Sequence, residues 1–261
     1  MLRWAFCPRE PMKTTLLAIG TLALLLLTVA PAQADPPGED RVTERHYDDA
    51  GRLLAEYGIR TDVDGLVFER IYKHADEKVK GNGPVPSVDA ATDCPSTKYV
   101  KAGWKWLAPY SAFADQHASI FSASGNAWDA ETGADIFGGI TSGSGPAGVL
   151  DERNQISFVN LGGGSTIAVT TTWYFRGSGQ AVESDAQYNT AFPWSTSGEA
   201  GKMDVQNIAT HEIGHTLGLN HPRGGGSISC LTMYAYADYG ETQKRTLGDG
   251  DILGIEAIYG A

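Results

Sequence analysis

The chain has 261 residues, of which 42% are hydrophobic and 20% charged, with a formal net charge of −11. That length suits one sizeable domain with a real core plus some processing or linking sequence, and the composition is ordinary for a soluble globular protein. The acidity, with no basic stripe to offset it, excludes nucleic acid and anionic membranes as partners.

Taken in chain order, residues 1–34 come first. Basic Arg3, Arg9 and Lys13 precede an apolar run from Leu16 to Ala30 and then Ala32-Gln33-Ala34. A charged region, an apolar region and a small-residue cleavage site make up a secretory signal, with Met12 as an alternative start. The run is about 15 residues long, short of the roughly 20 that a spanning helix needs. The expectation is a secreted chain, free of the membrane once the signal is cut after Ala34. Cleavage removes three basic residues and Glu10, leaving 17 Lys+Arg against 30 Asp+Glu, a net charge of −13. Cys7 leaves as well. Of the two remaining cysteines, Cys94 and Cys230, the simplest reading in an exported protein is one disulfide.

Residues 35 to about 60 are polar and charged, and read as a loosely ordered or helical lead-in. YDDAGRLLAEYG and GLVFERIYKHADEKVK space their apolar residues as helices do, which suggests a small helical segment. GNGPVPSVDAATDCPS carries turn residues without periodicity and reads as a linker. KAGWKWLAPYSAFAD then alternates as a strand does, through Trp104 and Trp106. ASIFSASGNAWDAETGADIF is a predicted helix whose Ile120, Phe121, Ala127 and Trp128 share a face. NQISFVNL and STIAVTTTWYF are β-branched and aromatic strand candidates, and QAVESDAQYNT is a further alternating run. DVQNIATHEIGHTLGL and GDILGIEAIYG are helices. The order implies an α/β or α+β single domain over about 165 residues.

HEIGHTLGLNH holds three of the six histidines of the chain. On a helix, residues four apart share a face about 6 Å apart along the axis, so His211 and His215 can hold one metal ion between them. Glu212 lies beside them, within reach of a water at that ion. His221 would sit about 15 Å from His211 on a continuous helix, so the chain has to leave the helix near Gly218. A positive φ costs glycine little, and a turn there can swing His221 back. Three neutral nitrogen ligands with one open position is the arrangement of a catalytic zinc site. His46, His74 and His117 have no partner at metal spacing and read as ordinary histidines.

This pattern, His211, Glu212, His215, Gly218 and His221, resembles the metzincin zinc metalloproteases. Met233 in CLTMYAY, twelve residues past His221, is similar to their methionine turn. Met233 followed by Tyr234 most resembles the matrixin branch, as do LGDGDILGIEAIYG and GWKWLAPYSAFAD. The resemblance covers roughly residues 95–261. It implies a zincin-like domain: a twisted five-stranded mixed sheet with a zinc-site helix and a C-terminal helix. It further implies one catalytic Zn2+ on the three histidines, Glu212 as general base, and Gly218, Met233 and Tyr234 as supports of the site. Calcium stays open. The partner implied is a protein or peptide substrate bound extended along a strand edge, in AVTTTWYF or AVESDAQYNT, to a monomeric enzyme. Segment 222–240 would wall the pocket for the residue after the cut. Residues 35–94 become a pro-segment or linker, and Cys94 gains a second reading as the zymogen thiol that caps zinc in this family. TDCPSTK lacks the surrounding PRCGxPD pattern of that switch. Pro222 and Ala235 depart from the matrixin and serralysin patterns respectively, and Gly250 stands where the last helix usually has the first of two aspartates. The competing class is a non-catalytic zinc-containing binding module on the same fold. Glu212 argues against it, because such a module needs no general base.

Overall fold

A computed structural model describes residues 40–75, 94–223 and 227–261. The readings of residues 1–34 as a signal and of most of the 81–96 linker lie outside the described residues. The strands are β1 (Asp40–Tyr47), β2 (Leu53–Arg60), β3 (Leu66–Ala75), β4 (Val100–Lys101), β5 (Tyr110–Ala114), β6 (Phe137–Ser142), β7 (Gln155–Val159), β8 (Thr166–Phe175) and β9 (Gln180–Asn189). Four short ones follow: β10 (Trp194–Ser195), β11 (Met203–Asp204), β12 (Leu219–Asn220) and β13 (Tyr236–Ala237). The helices are α1 (Ala118–Asp129), α2 (Val205–Thr216) and α3 (Asp249–Tyr259).

The fold is a mixed sheet with helices. Its five-stranded part runs β6-β5-β7-β9-β8, parallel except for β8, which is antiparallel to β9. α1 and α2 cover one face of it. Their Phe121, Trp128, Ile208 and Ile213 join Tyr110, Ile156 and Tyr188 of the sheet in the main core.

The helical reading of the N-terminal segment is overturned. Residues 40–75 form an antiparallel meander that continues the sheet from β8 outward, in the order β8-β3-β2-β1. Leu66, Val67, Phe68, Ile71 and Tyr72 fit a helical spacing, but they also fit a strand buried on both faces, which carries an unbroken apolar run. On one face Val67 and Ile71 pack with Trp104 and Tyr174, and on the other Leu66 and Phe68 pack with Trp173. The wealth of β-branched and aromatic residues was the signal that separates the two readings. Gly58 in β2 is also explained, because a Cβ there would run into the Phe68 ring.

Two further expectations change. The strand expected over 101–115 is two short strands with an irregular stretch between. There Trp104 and Trp106 both aim their indole N–H at the Thr216 carbonyl, at 3.3 and 2.9 Å. Those bonds satisfy a carbonyl orphaned by the end of α2. The helix expected to reach Phe137 stops at Asp129, whose carboxylate accepts from Ile136 N (2.8 Å) and Phe137 N (3.1 Å) and so starts β6.

Candidate metal centre

α2 starts where the Asp204 side chain accepts from Asn207 N at 2.9 Å, an N-cap that meets one of the free donors of the first turn. Arg245 Nε holds the same carboxylate at 2.8 Å. The helix ends before Gly218, whose φ is +104° and where a Cβ would strike the Trp104 carbonyl oxygen. β12 then pairs with β4 and carries the chain back to His221.

The result brings three imidazoles together. His211 and His215 are fully buried and His221 nearly so. Their Nε2 atoms lie 2.9, 3.1 and 3.2 Å from one another, close to the spacing of three corners of a tetrahedral zinc site with bonds of about 2.0–2.1 Å. Two of the three far nitrogens are occupied: His211 Nδ1–H donates to Thr232 O at 2.6 Å and His215 Nδ1–H to Leu219 O at 2.8 Å. Such bonds fix the ring and leave Nε2 as a bare lone pair. Burial pushes all three histidines down, His215 to about 3. They are therefore neutral, the state in which imidazole binds a metal. The donor set fits zinc.

Glu212 completes the cluster. Its side chain is fully buried, and burial pushes its carboxyl up to about 7. Oε2 accepts from Thr170 Oγ1 at 2.6 Å, while Oε1 accepts from no described residue. A buried carboxylate oxygen with no partner is costly unless a ligand or water completes it.

Met233 lies beneath the site, against Gly214 of α2. Its position comes from α3: the Asp251 carboxylate accepts from Met233 N at 3.1 Å, Thr232 N at 2.8 Å and Gly248 N at 2.9 Å. Since the Thr232 carbonyl orients His211, one chain of contacts runs from α3 to a ligand. The Tyr234 carbonyl accepts from Lys73 Nζ at 3.0 Å. Cys94 and Cys230 form a disulfide, packed with Ile228 and Leu231, so Cys94 is spent on Cys230 and not offered to the histidines. Of the other histidines, His46 lies 3.2 Å from Glu44 and His74 donates from Nε2 to Leu53 O at 2.6 Å.

Sequence reasoning missed Thr170, Thr232, Gly214 and Lys73, and it left Asp251 without a role. Gly214 alone carried a visible signal, a glycine inside a helix, which costs about 1 kcal/mol against alanine and so calls for a packing reason.

These features define a protein class, a helix-borne three-histidine metal centre with an adjacent carboxylate. Residues 157–260 match the family described as matrixin, and this part of the chain is matrixin-like. Among curated relatives, human neutrophil collagenase is 34% identical over 82 residues, 31% of this chain and 16% of that protein. Rat matrilysin is 33% identical over 82 residues (31% and 29%). Human matrix metalloproteinase-16 is 33% identical over 88 residues (33% and 14%). The matched stretch thus spans less than a third of each relative.

Proposed function

We propose that the chain is a zinc-dependent endopeptidase, exported by its N-terminal signal and acting as a monomer on protein or peptide substrates. His211, His215 and His221 would hold one Zn2+ and Glu212 would be the general base. The three mutually close Nε2 atoms, with Glu212 next to His211 on α2 and its Oε1 without a partner among the described residues, carry this reading. A zinc ion supplies Lewis acidity, lowering the pKa of water to about 7 and polarising a carbonyl. The protein supplies the rest. Thr170 holds one oxygen of Glu212 and leaves the other without a partner among the described residues. Glu212 takes a proton from water as its oxygen adds to the scissile carbonyl carbon. It then gives that proton to the amine as the C–N bond breaks. A buried carboxyl raised toward neutrality suits both transfers.

Of the two strands expected to offer an edge, β9 is flanked by β7 and β8, whereas β8 is the outer strand of the five. β8 is therefore the strand along which an extended peptide would add. Among the described residues no helix is long and apolar enough to cross a membrane.

The test compares the purified chain with Glu212→Ala on an unfolded protein substrate, after limited proteolysis and with zinc assayed in both. Cleavage by the wild type that the zinc-loaded variant lacks supports the reading. Equal silence from both, each holding one zinc, would move the assignment to a non-catalytic zinc-binding module.

A further inference from the structure

Strand addition needs a free edge, and the outer edge of β8 is taken. β3 pairs with it antiparallel from Leu66↔Phe175 to His74↔Thr166. Near its end β3 has a second neighbour. β13, three residues after Met233, runs parallel to it with His74↔Tyr236 and Ala75↔Ala237, and His74 N donates to Ala235 O at 3.0 Å. Residues 71–75 therefore lie in a slot between the strand that holds Glu212 and the segment that follows the methionine. Ile71 pairs with Thr170, the residue bonded to Glu212, and Lys73 pairs with Ala168.

Lys73 has no exposed surface. Its ammonium donates to the Tyr234 carbonyl, inside the segment expected to wall the pocket for the residue after the cut. The buried Lys244–Glu241 ion pair lies in the same region, with Lys244 Nζ donating to Tyr236 O at 2.9 Å. Burial and the neighbouring Lys244 cation push the Lys73 amine well down, and the carboxylates of Glu241, Glu212 and Asp251 offset part of that. A lysine is rarely buried without such compensation.

We propose that β3 is a resident substrate mimic: it fills the peptide channel and seats Lys73 in the pocket that, once freed, takes a lysine on the carboxyl side of the cut. The proposal rests on the endopeptidase reading for the meaning of the channel. The occupancy itself is a binding statement and can be tested without catalysis. The meander is anchored on its far side by β2, which pairs with β3 from Val67 to Ile71, so the inhibitory strand is part of a sheet and not a loose tail.

The test uses the full chain carrying Glu212→Ala, loaded with zinc, and a labelled synthetic peptide FERIYKHA, the sequence of residues 68–75. Ile71→Pro is added to expel β3, because Ile71 pairs with Ala55 on one side and Thr170 on the other and proline cannot sit in a central strand. Lys73→Glu is a second, milder variant that sets a carboxylate among carboxylates. Fluorescence polarisation should show no binding to the Glu212→Ala chain and clear binding once either second change is present. Replacing lysine in the peptide by glutamate should weaken that binding by about thirtyfold or more. Equal peptide binding with and without the β3 changes would overturn the occupancy. Indifference to the peptide lysine would overturn the pocket assignment. Failure of the endopeptidase reading would instead appear as silent but peptide-binding protein when Glu212 is restored.

Discussion

Gly214→Ala should destabilise the protein, although within a helix alanine is normally the better residue by about 1 kcal/mol. Gly214 faces Met233 and Trp128 from the middle of α2. A Cβ there would stand 2.6 Å from Trp128 Cζ2 and closer still to Met233 Sδ, where unstrained heavy-atom contacts sit at roughly 3.5–4.0 Å. Overpacking of this kind costs about 1–3 kcal/mol. Neither neighbour is free to retreat. Trp128 is fully buried with its indole N–H on Thr210 O at 2.8 Å, and the Met233 backbone is held by Asp251. The upper half of the range therefore applies, and after the helical gain the net loss should be about 1–2 kcal/mol. Urea denaturation followed by tryptophan fluorescence measures it. Gly177→Ala is the control, because a Cβ there meets nothing within 4 Å, and it should stay within about 0.5 kcal/mol of wild type. A Gly214→Ala protein as stable as wild type, or more so, would refute the claim that Met233 is locked against α2.

Removing the disulfide with Cys94→Ser and Cys230→Ser opens a link of 136 residues. It should cost up to about 5 kcal/mol in the chain-entropy account, read as a lower denaturation midpoint. Asp251→Ala deprives Thr232 N, Met233 N and Gly248 N of their acceptor. Zinc affinity should fall about 10–100-fold in a chelator competition while the far-UV spectrum is kept. Thr170→Val removes the bond that lowers the Glu212 pKa, so the acid limb of kcat/KM against pH should move to higher pH than in wild type. Glu69, bonded to Asn220 at 3.0 Å, is pushed up by burial from 4.5 to about 7. Its pKa is raised on folding, so its contribution is fully present below about 4.5 and lost as pH rises through about 7. Urea midpoints taken between pH 5 and 8 should therefore fall less steeply for Glu69→Gln than for wild type.

What the sequence made legible was local. His211 and His215 are one helical turn apart, Gly218 explains His221 within three residues, and β7, β8 and β9 follow from alternating or β-branched and aromatic runs. The five-stranded sheet, by contrast, was implied only by the family resemblance, and β6 had no signal of its own. What it concealed was carried by pairs far apart in the chain. Thr170 meets Glu212 across 42 residues, and Asp251 reaches the methionine turn across 18 and 19. Neither threonine nor aspartate has a pattern that announces such a partner. The meander was misread for a related reason: its apolar residues fit both periods, and the deciding fact was a strand, β8, about a hundred residues further on. Trp104 and Trp106 do alternate, but the alternation serves to point two indoles at one carbonyl.

Lys73 shows why this kind of concealment gathers at a functional channel. In a strand such as β3, a lysine next to the apolar Ile71 and Tyr72 reads as a solvent-facing residue, and on an ordinary sheet that reading would hold. It fails here because the neighbouring segment offers this strand its own acceptors. Ala235 offers a carbonyl to the His74 amide and Tyr234 offers one to the Lys73 ammonium. Between them they supply the backbone acceptors that an exposed edge otherwise finds in water. Glu212 of the candidate metal centre and Asp251 of its supporting helix offset part of what burial and Lys244 cost the lysine charge. A residue rarely buried in a general core is thus accommodated in the slot that we propose receives substrate. The burial of Lys73 and the chemistry of the site then have a common cause.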